Sequence, residues 1–409
     1  MSIQQNFPAI SPSLNLNFAR SKTLDPRITF SRTSTATRVN EQGLIEVVSA
    51  DIPRFDHEYD ASTGVIKSLG LLVEEQRSNR VTNNEDLSLW KQNSNPTLNS
   101  NDTVSPDGNT TADKVTQTNQ VFTGVSTDMS GITTNTVYSC SVFIKPDGDT
   151  TTRFGFYDTS NWQGSLDTDW SSGEPSTNGS LGGASDIVYE EYPNGWYRAS
   201  FKASTQSNAF AGTVSFHCHP DRTGTGKSAW FWGAQLEAGA FPTSYIPTSG
   251  GTATRNPDNA SMTGNNFSDW YNPTEGTFNS DVSFNSNNAT HYIWQVGKAS
   301  NRMLSAGRVG GNSWILLSIN NNSFTDNLSS TYNSGRNKWC ASYSNDGFFG
   351  VENGGNIISS NNADVPTLDI NILYLGSYVN SSLYLNGHIS QLTYYPVRLP
   401  NSTLQTLTK

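Results

Sequence analysis

Charge is scarce in this chain of 409 residues: Asp, Glu, Lys and Arg together make up only 15% of it. Acidic residues outnumber basic ones, 35 to 25, and the basic ones are scattered, with no cluster able to neutralise successive phosphates. That pattern argues against nucleic acid as a partner. Cysteine is nearly absent. Cys140, Cys218 and Cys340 lie far apart, and an odd number leaves one thiol unpaired within a monomer. Buried, reduced thiols are the expected state, in keeping with synthesis in a reducing cytoplasm. No stretch approaches the ~18 consecutive apolar residues of a membrane span. Met1 to Ser13 has no basic start followed by an apolar run, so neither membrane insertion nor a secretion signal is expected. Heptads, Gly-X-Y runs and sequence repeats are missing too, which excludes a coiled-coil or collagen-like shaft. Any trimer must then be held by the faces of globular domains.

What is plentiful is Asn, Ser, Thr and Gly, with aromatics at 11%. A disordered chain carries more charge and fewer aromatics, so this composition points to an all-β protein with thin layers and polar loops. The length suggests several domains. Residues 1–90 show only short alternating runs and read as a small N-terminal β module that packs on a neighbour. From 91 to 251, Tyr138, Cys140, Val142 and Ile144 alternate with polar residues, and Tyr197, Ala199, Phe201 and Ala203 do the same. Each such strand has one dry and one wet face, and turn signals such as Pro146-Asp-Gly148 separate them. The expected fold is an antiparallel β-sandwich of jelly-roll type, similar in pattern to carbohydrate-binding modules. Residues 252–275 read as a linker, and 276–409 as a second antiparallel sandwich. Its tail resembles the last strand and short helix of laminin-G or concanavalin-like domains, with Pro400 to Ser402 opening the helix.

The stretch Ser228 to Gly251 joins these parts. Its first half is apolar on both faces, Trp230, Trp232, Ala234 and Leu236 on one and Ala229, Phe231 and Gly233 on the other. That is the pattern of a central strand. Its second half, with Pro242, Pro247, Gly250 and Gly251, cannot continue a ladder and reads as an extended exit to the surface.

Four ordered motifs carry a family resemblance over roughly the first 255 residues. They are Leu24 to Thr37 (LDPRITFSRTSTAT) with Pro53-Arg-Phe-Asp56, Gly70 to Asn79 (GLLVEEQRSN), Ser105 to Val115, and Trp232 to Gly239 with Thr243 to Thr248. Together they resemble a family of tailed-phage virion proteins of tail-fibre or head-fibre type. One departure is Arg80-Val-Thr82, where an apolar run is expected. The resemblance implies a virion structural protein on the particle surface, made in the host cytoplasm. Its partners would be other virion proteins of capsid, neck or tail, together with a host-surface glycan, and its sandwiches would be displayed outward, as a homotrimer. A secreted bacterial adhesin is the less favoured reading, given the missing signal.

Candidate chemistry is sparse, and no catalytic residue is assigned. Asp167 and Asp169 would sit on one side of a strand, roughly 6.6 Å apart, a spacing a glycoside hydrolase or depolymerase could use. The favoured reading of the same residues is turn carboxylates, with a calcium site of hard oxygen ligands that includes Asp158 as a lesser one. No other cofactor is expected. Glu352 is the only glutamate from Gly276 onward, so the second sandwich lacks the acidic cluster of concanavalin-like glucanases. His217 and His219 share one face of a strand, a zinc-like spacing without a visible third ligand. Trp162, Trp170, Trp294 and Trp314 are the candidate glycan contacts, because sugar C–H faces stack on indole. Trp196, Trp230, Trp232 and Trp339 read as core.

Overall fold

The computed structural model describes residues 10–118, 120, 122–222, 224–285, 290–299, 302–309, 312–320, 323–331, 335–361, 370–379 and 383–409. It is built almost entirely of antiparallel strands arranged as two sandwiches. In the first, an inner sheet runs in the spatial order Ser185–Tyr192, Trp196–Ser204, Val137–Asp147, Ser228–Ala238, Ala112–Thr116, Thr97–Thr103. The outer sheet runs Ser176–Leu181, Trp162–Asp169, Thr151–Tyr157, Ser215–His219, Gly124–Asp128, Lys91–Asn93. Alternation decides what meets between them. Cys140, Val142, Ile144, Ala199 and Phe201 of the inner sheet face Phe154, Phe156, Leu166 and Phe216 of the outer one, all with at most 1% exposure. All three cysteines are buried as free thiols.

The N-terminal segment does not form a module of its own. Leu14–Asn17 and Val65–Val73 both pair with Gly387–Tyr395, and Arg54–Asp60 extends the same sheet of the second sandwich. Thr29–Ser31 pairs with Asn259–Thr263 at the edge of the opposing sheet. Leu14, Leu16, Phe18, Phe55, Leu71 and Val73 thus share one core with Phe278, Trp294, Leu304 and Tyr394. The sequence 252–275, expected as a linker, is likewise structured: Ala253–Arg255 pairs with Arg77–Asn79, and Asn259–Thr263 is a sheet strand. Short strands with few apolar residues gave no sign of partners some 300 positions away. The C-terminal helix Asn401–Leu407 forms after Pro400 as expected, and Leu404 is fully buried against Cys340, Val351 and Tyr395.

Ser228–Ala238 is indeed a central strand, paired on both sides. Its faces are not those of a simple alternation. Gly233 lies in the left-handed region at φ 64°, and the pairing register shifts beside it. A bulge there switches the faces. Ala229 and Phe231 before it, and Ala234 and Leu236 after it, all point into the sandwich. Trp232 points the other way, into a second small core with Phe143, Trp196, Tyr245 and Ile45.

Candidate functional site

Residues of three of the four motifs meet Arg255 and Asp258 in one buried place, the joint between the N-terminal strands and the two sandwiches. Arg32, Arg54, Glu74, Arg255 and Asp258 all have side chains at most 1% exposed there. Asp258 accepts from Arg32 at 3.0 Å and from Arg54 at 2.5 Å, while Arg54 also reaches Glu74 at 2.9 Å. Burial alone would raise the Glu74 carboxyl, but Arg255 and Arg54 hold it far below the carboxylate range. The exit loop after Ala238 runs beside this network and is itself largely buried, not at the surface as expected. Side chains there replace the missing ladder. Ile246 N–H donates to Gln235 (2.7 Å), Thr243 N–H to Glu237 (2.9 Å) and Ser244 N–H to Glu74 (2.8 Å). Asn79 donates to the carbonyls of Ala234 and Ile246. Buried backbone polar groups need such partners. The motifs therefore specify a joint, not a reactive centre.

Reactive-looking groups lie elsewhere. On the wet face of the first sandwich's outer sheet, Trp162 is half-buried and its ring meets Tyr157 (5.3 Å between centroids), His217 (5.5 Å) and His219 (6.0 Å). The Arg153 guanidinium lies 5.3 Å from the same indole and pairs through two nitrogens with Asp167. Phe122, 58% exposed, sits nearby under Arg222. Beneath Trp162 are polar atoms without a hydrogen-bond partner among the described residues: His217 Nδ1, His219 Nε2 and Ser165 Oγ. Burial pushes the His217 imidazole down to about 4, and burial together with His217 pushes His219 down to about 3, so both rings are neutral near pH 7. The result is an aromatic platform with uncharged polar groups below it and arginines at its rim. A flat C–H face stacks on such a surface. The strand Thr151–Tyr157 carried a readable signal for it, with Phe154 and Phe156 dry and Arg153 and Tyr157 wet.

Three of the four candidate tryptophans are placed differently. Trp170 is 2% exposed, packs on Tyr197 and donates to Thr152 Oγ1. Trp294 is fully buried and stacked on Phe278 at 4.1 Å, and Trp314 is buried against Tyr292. None presents a face to a ligand, because sandwich cores absorb large rings wherever the alternation points inward. The acidic trio is not gathered either. Asp158 closes the hairpin turn, accepting from the amides of Asn161 (2.7 Å), Ser160 and Ala211. Asp167 lies five residues further along the returning strand, roughly 16 Å away at strand rise, and is committed to Arg153. Asp169 accepts from Ser171 N–H in a turn at the far end. Among the described residues no group of three or more His, Cys, Asp or Glu could hold a metal ion, and no helix is long and apolar enough to cross a membrane. His217 and His219 do stack side by side, 5.7 Å apart, without a third ligand.

The structure also builds a cleft of about 590 Å³ between the strand Arg54–Asp60, the edge strand Ser185–Tyr192 and the second sandwich. In its wall Ser283 Oγ lies 3.1 Å from His388 Nδ1, and His388 Nε2 lies 2.9 Å from Asp56 Oδ2. Hydroxyl, imidazole and carboxylate thus form a chain from positions hundreds of residues apart, which no local spacing could reveal. Acyl transfer also needs amide donors for the oxyanion. Ser283 lies in a strand paired on both sides, so the amides around it belong to the ladder.

Fold and sites together define an all-β protein of two antiparallel sandwiches with an aromatic surface platform. No family model matches the chain, and no curated protein matches it. Solved structures do. One is the CBM40 module of the Ruminococcus gnavus IT-sialidase bound to α2,3-sialyllactose, 17% identical, spanning 34% of this chain and 84% of that one at a TM-score of 0.30. Others are domains LG4-5 of the mouse laminin α1 chain (11% identity, 70% and 90%, TM-score 0.25) and the CBM22 tandem of Paenibacillus barcinonensis Xyn10C (9%, 78% and 95%, TM-score 0.24). At these scores the likeness carries no inference about function.

Proposed function

We propose that this chain is a non-catalytic virion structural protein of a tailed phage, of fibre or decoration type, that holds host-surface saccharide on the Trp162 platform. The observation that carries the binding half is the half-exposed indole of Trp162 flanked by Tyr157, Arg153 and two neutral imidazoles. The virion half rests on the motif resemblance, and the burial of those motifs in the joint fits a scaffold signature. Against a depolymerase stands the pairing of Asp167 with Arg153, which leaves no poised acid and base on this face. Weak single-site affinity is multiplied by many copies on a particle, and a homotrimer would supply three platforms at once.

The test is retention on immobilised host-surface polysaccharide. Wild type is retained, Trp162→Ala loses at least about tenfold in affinity, a change of ~1.4 kcal/mol, and no reducing ends are released. Retention unchanged in Trp162→Ala refutes the platform. Reducing ends released by wild type and lost in Asp167→Ala refute the non-catalytic reading. Light scattering is expected to give the trimer mass; a monomer mass on assembled material refutes the trimer.

A further inference from the structure

Among the described side chains Phe122 is the one aromatic more than half exposed, at 58%. Its loop is nonetheless pinned. Thr123, the next residue, is fully buried; its N–H donates to the Gln120 carbonyl at 3.1 Å, and its own carbonyl lies 3.2 Å from His219 Nδ1. A ring nitrogen facing a carbonyl carries the proton, so His219 donates there. The side-chain amide of Gln117, a residue only 3% exposed, ties this loop to the one that follows Asp221. Its Nε2 donates to the carbonyls of Gln120 and Asp221, both at 2.9 Å, and its Oε1 accepts from Gly226 N–H at 2.9 Å. On that second loop the Arg222 guanidinium lies 5.3 Å from the Phe122 ring. These bonds fix the loop without using the phenyl, whose contact with water is unfavourable in the free protein. A ring already held in place loses little freedom when a ligand covers it.

Phe122 also continues the Trp162 platform. Arg222 Nε lies 3.9 Å from Asp167 Oδ2, Arg153 grips the same carboxylate through two nitrogens, and the Arg153 guanidinium is 5.3 Å from the Trp162 indole. The strip therefore runs indole, guanidinium, carboxylate, guanidinium, phenyl. Its length follows from the sheet. The indole stands at the level of Gly155 and Arg153, because it meets His217 and His219, which pair with those two residues. Arg222 N–H donates to the Thr151 carbonyl at 2.8 Å, beyond Arg153 on the same strand. At strand rise this puts the two rings roughly 7–13 Å apart along the strand direction. One sugar ring cannot cover both, whereas a short oligosaccharide spans them. Between the rings each Asp167 oxygen keeps a second lone pair beside guanidinium donors, a pattern that meets two adjacent hydroxyls of one sugar. Resting on the platform reading above, we propose that the site takes a run of about three consecutive sugar units, the outer two stacked on Trp162 and Phe122 and the middle one bonded through adjacent hydroxyls at Asp167 and its arginines. Phe122 thereby sets the chain length that is recognised.

The test uses the host-surface polysaccharide that retains wild type, partially hydrolysed and size-fractionated, with titration calorimetry on the full chain as the fragments lengthen from one to six units. Wild-type affinity should rise at least about tenfold between two units and three, and then level off. Phe122→Ala should abolish that step and bind longer fragments as wild type binds two units, with the unchanged melting temperature of an exposed substitution. Phe122→Trp should keep the step, and Trp162→Ala should lose affinity at every length. A wild type without the step, a step of full size in Phe122→Ala, or a step lost in Phe122→Trp overturns this proposal and leaves the platform reading in place. Wild-type affinity in Trp162→Ala at every length, or no retention of wild type on the polysaccharide, overturns both.

Discussion

Replacing Asp258 by asparagine would remove one charge and almost no volume from the joint, which makes it the sharpest probe of how the molecule is held together. Among the described residues Asp258 is the only carboxylate that pairs with the Arg32 guanidinium, at 3.0 Å, and it also receives Arg54 at 2.5 Å and the Glu74 amide at 3.0 Å. Without it, the Arg32 guanidinium keeps only the carbonyls of Ser34 and Ser49, while Arg54 and Arg255 keep Glu74, in a site where these side chains are at most 1% exposed. Removing one partner of a buried pair costs about 3–5 kcal/mol, because the remaining charge stays desolvated; a single contact near 4 Å is worth ~4 kcal/mol at an effective dielectric of 20. With a urea slope of about 3 kcal/mol per M, the unfolding midpoint should drop by roughly 1.3 M. Tryptophan fluorescence follows it, since Trp232 and Trp294 lie in cores on either side of the joint. Asp60→Asn, at the exposed pair with Lys67, should leave the midpoint where it is. A drop below about 1 kcal/mol in Asp258→Asn would refute the claim that this network holds the joint. Acid should act on the same place. The folded-state pKa of Glu74 is lowered, so its contribution is complete above the unfolded carboxylate range and is lost as pH falls below it.

Gly233→Ala should cost about 1–3 kcal/mol, since an added Cβ meets Phe143 and Tyr245 at 3.0 Å and alanine resists φ 64°; an unchanged melting curve would show that the bulge tolerates other conformations. Neutral burial of His217 and His219 adds stability that is complete above pH ~6.5 and is lost as pH falls towards their folded values of about 4 and 3. The slope of stability against pH in that window should flatten in His217→Phe/His219→Gln. Trp294→Ala should cost about 3–5 kcal/mol, as for a ring in a packed core, and leave saccharide retention alone.

Much of the architecture was legible because sandwich strands advertise themselves. Residues 138–144 and 197–203 alternate so regularly that their faces follow from sterics alone, and Pro400 placed the last helix. The central position of Ser228–Ala238 followed from having apolar residues on both sides, yet the assignment of Ala234 and Leu236 to the same side as Trp232 failed. One glycine at positive φ shifts the register, and a period-two rule cannot see a bulge. Among the candidate contacts, Trp162 opens its strand on the wet face, whereas Trp170 follows the end of that strand and turns inward onto Tyr197. Eight residues of sequence hold no information on that once a bulge intervenes beside Tyr157.

By itself, then, the sequence determined the all-β class, the antiparallel pairing and the polarity of the loops, since these depend on residues two to ten positions apart. Tertiary structure alone decided that strands near residues 14 and 71 complete a sheet with residues 387–395, and that Arg32, Arg54 and Glu74 meet Arg255 and Asp258 in one ion network. It also brought Asp56, Ser283 and His388 into one cleft wall. The reason is that long-range partners are chosen by the summed burial and satisfaction of whole faces, a quantity that no local window contains.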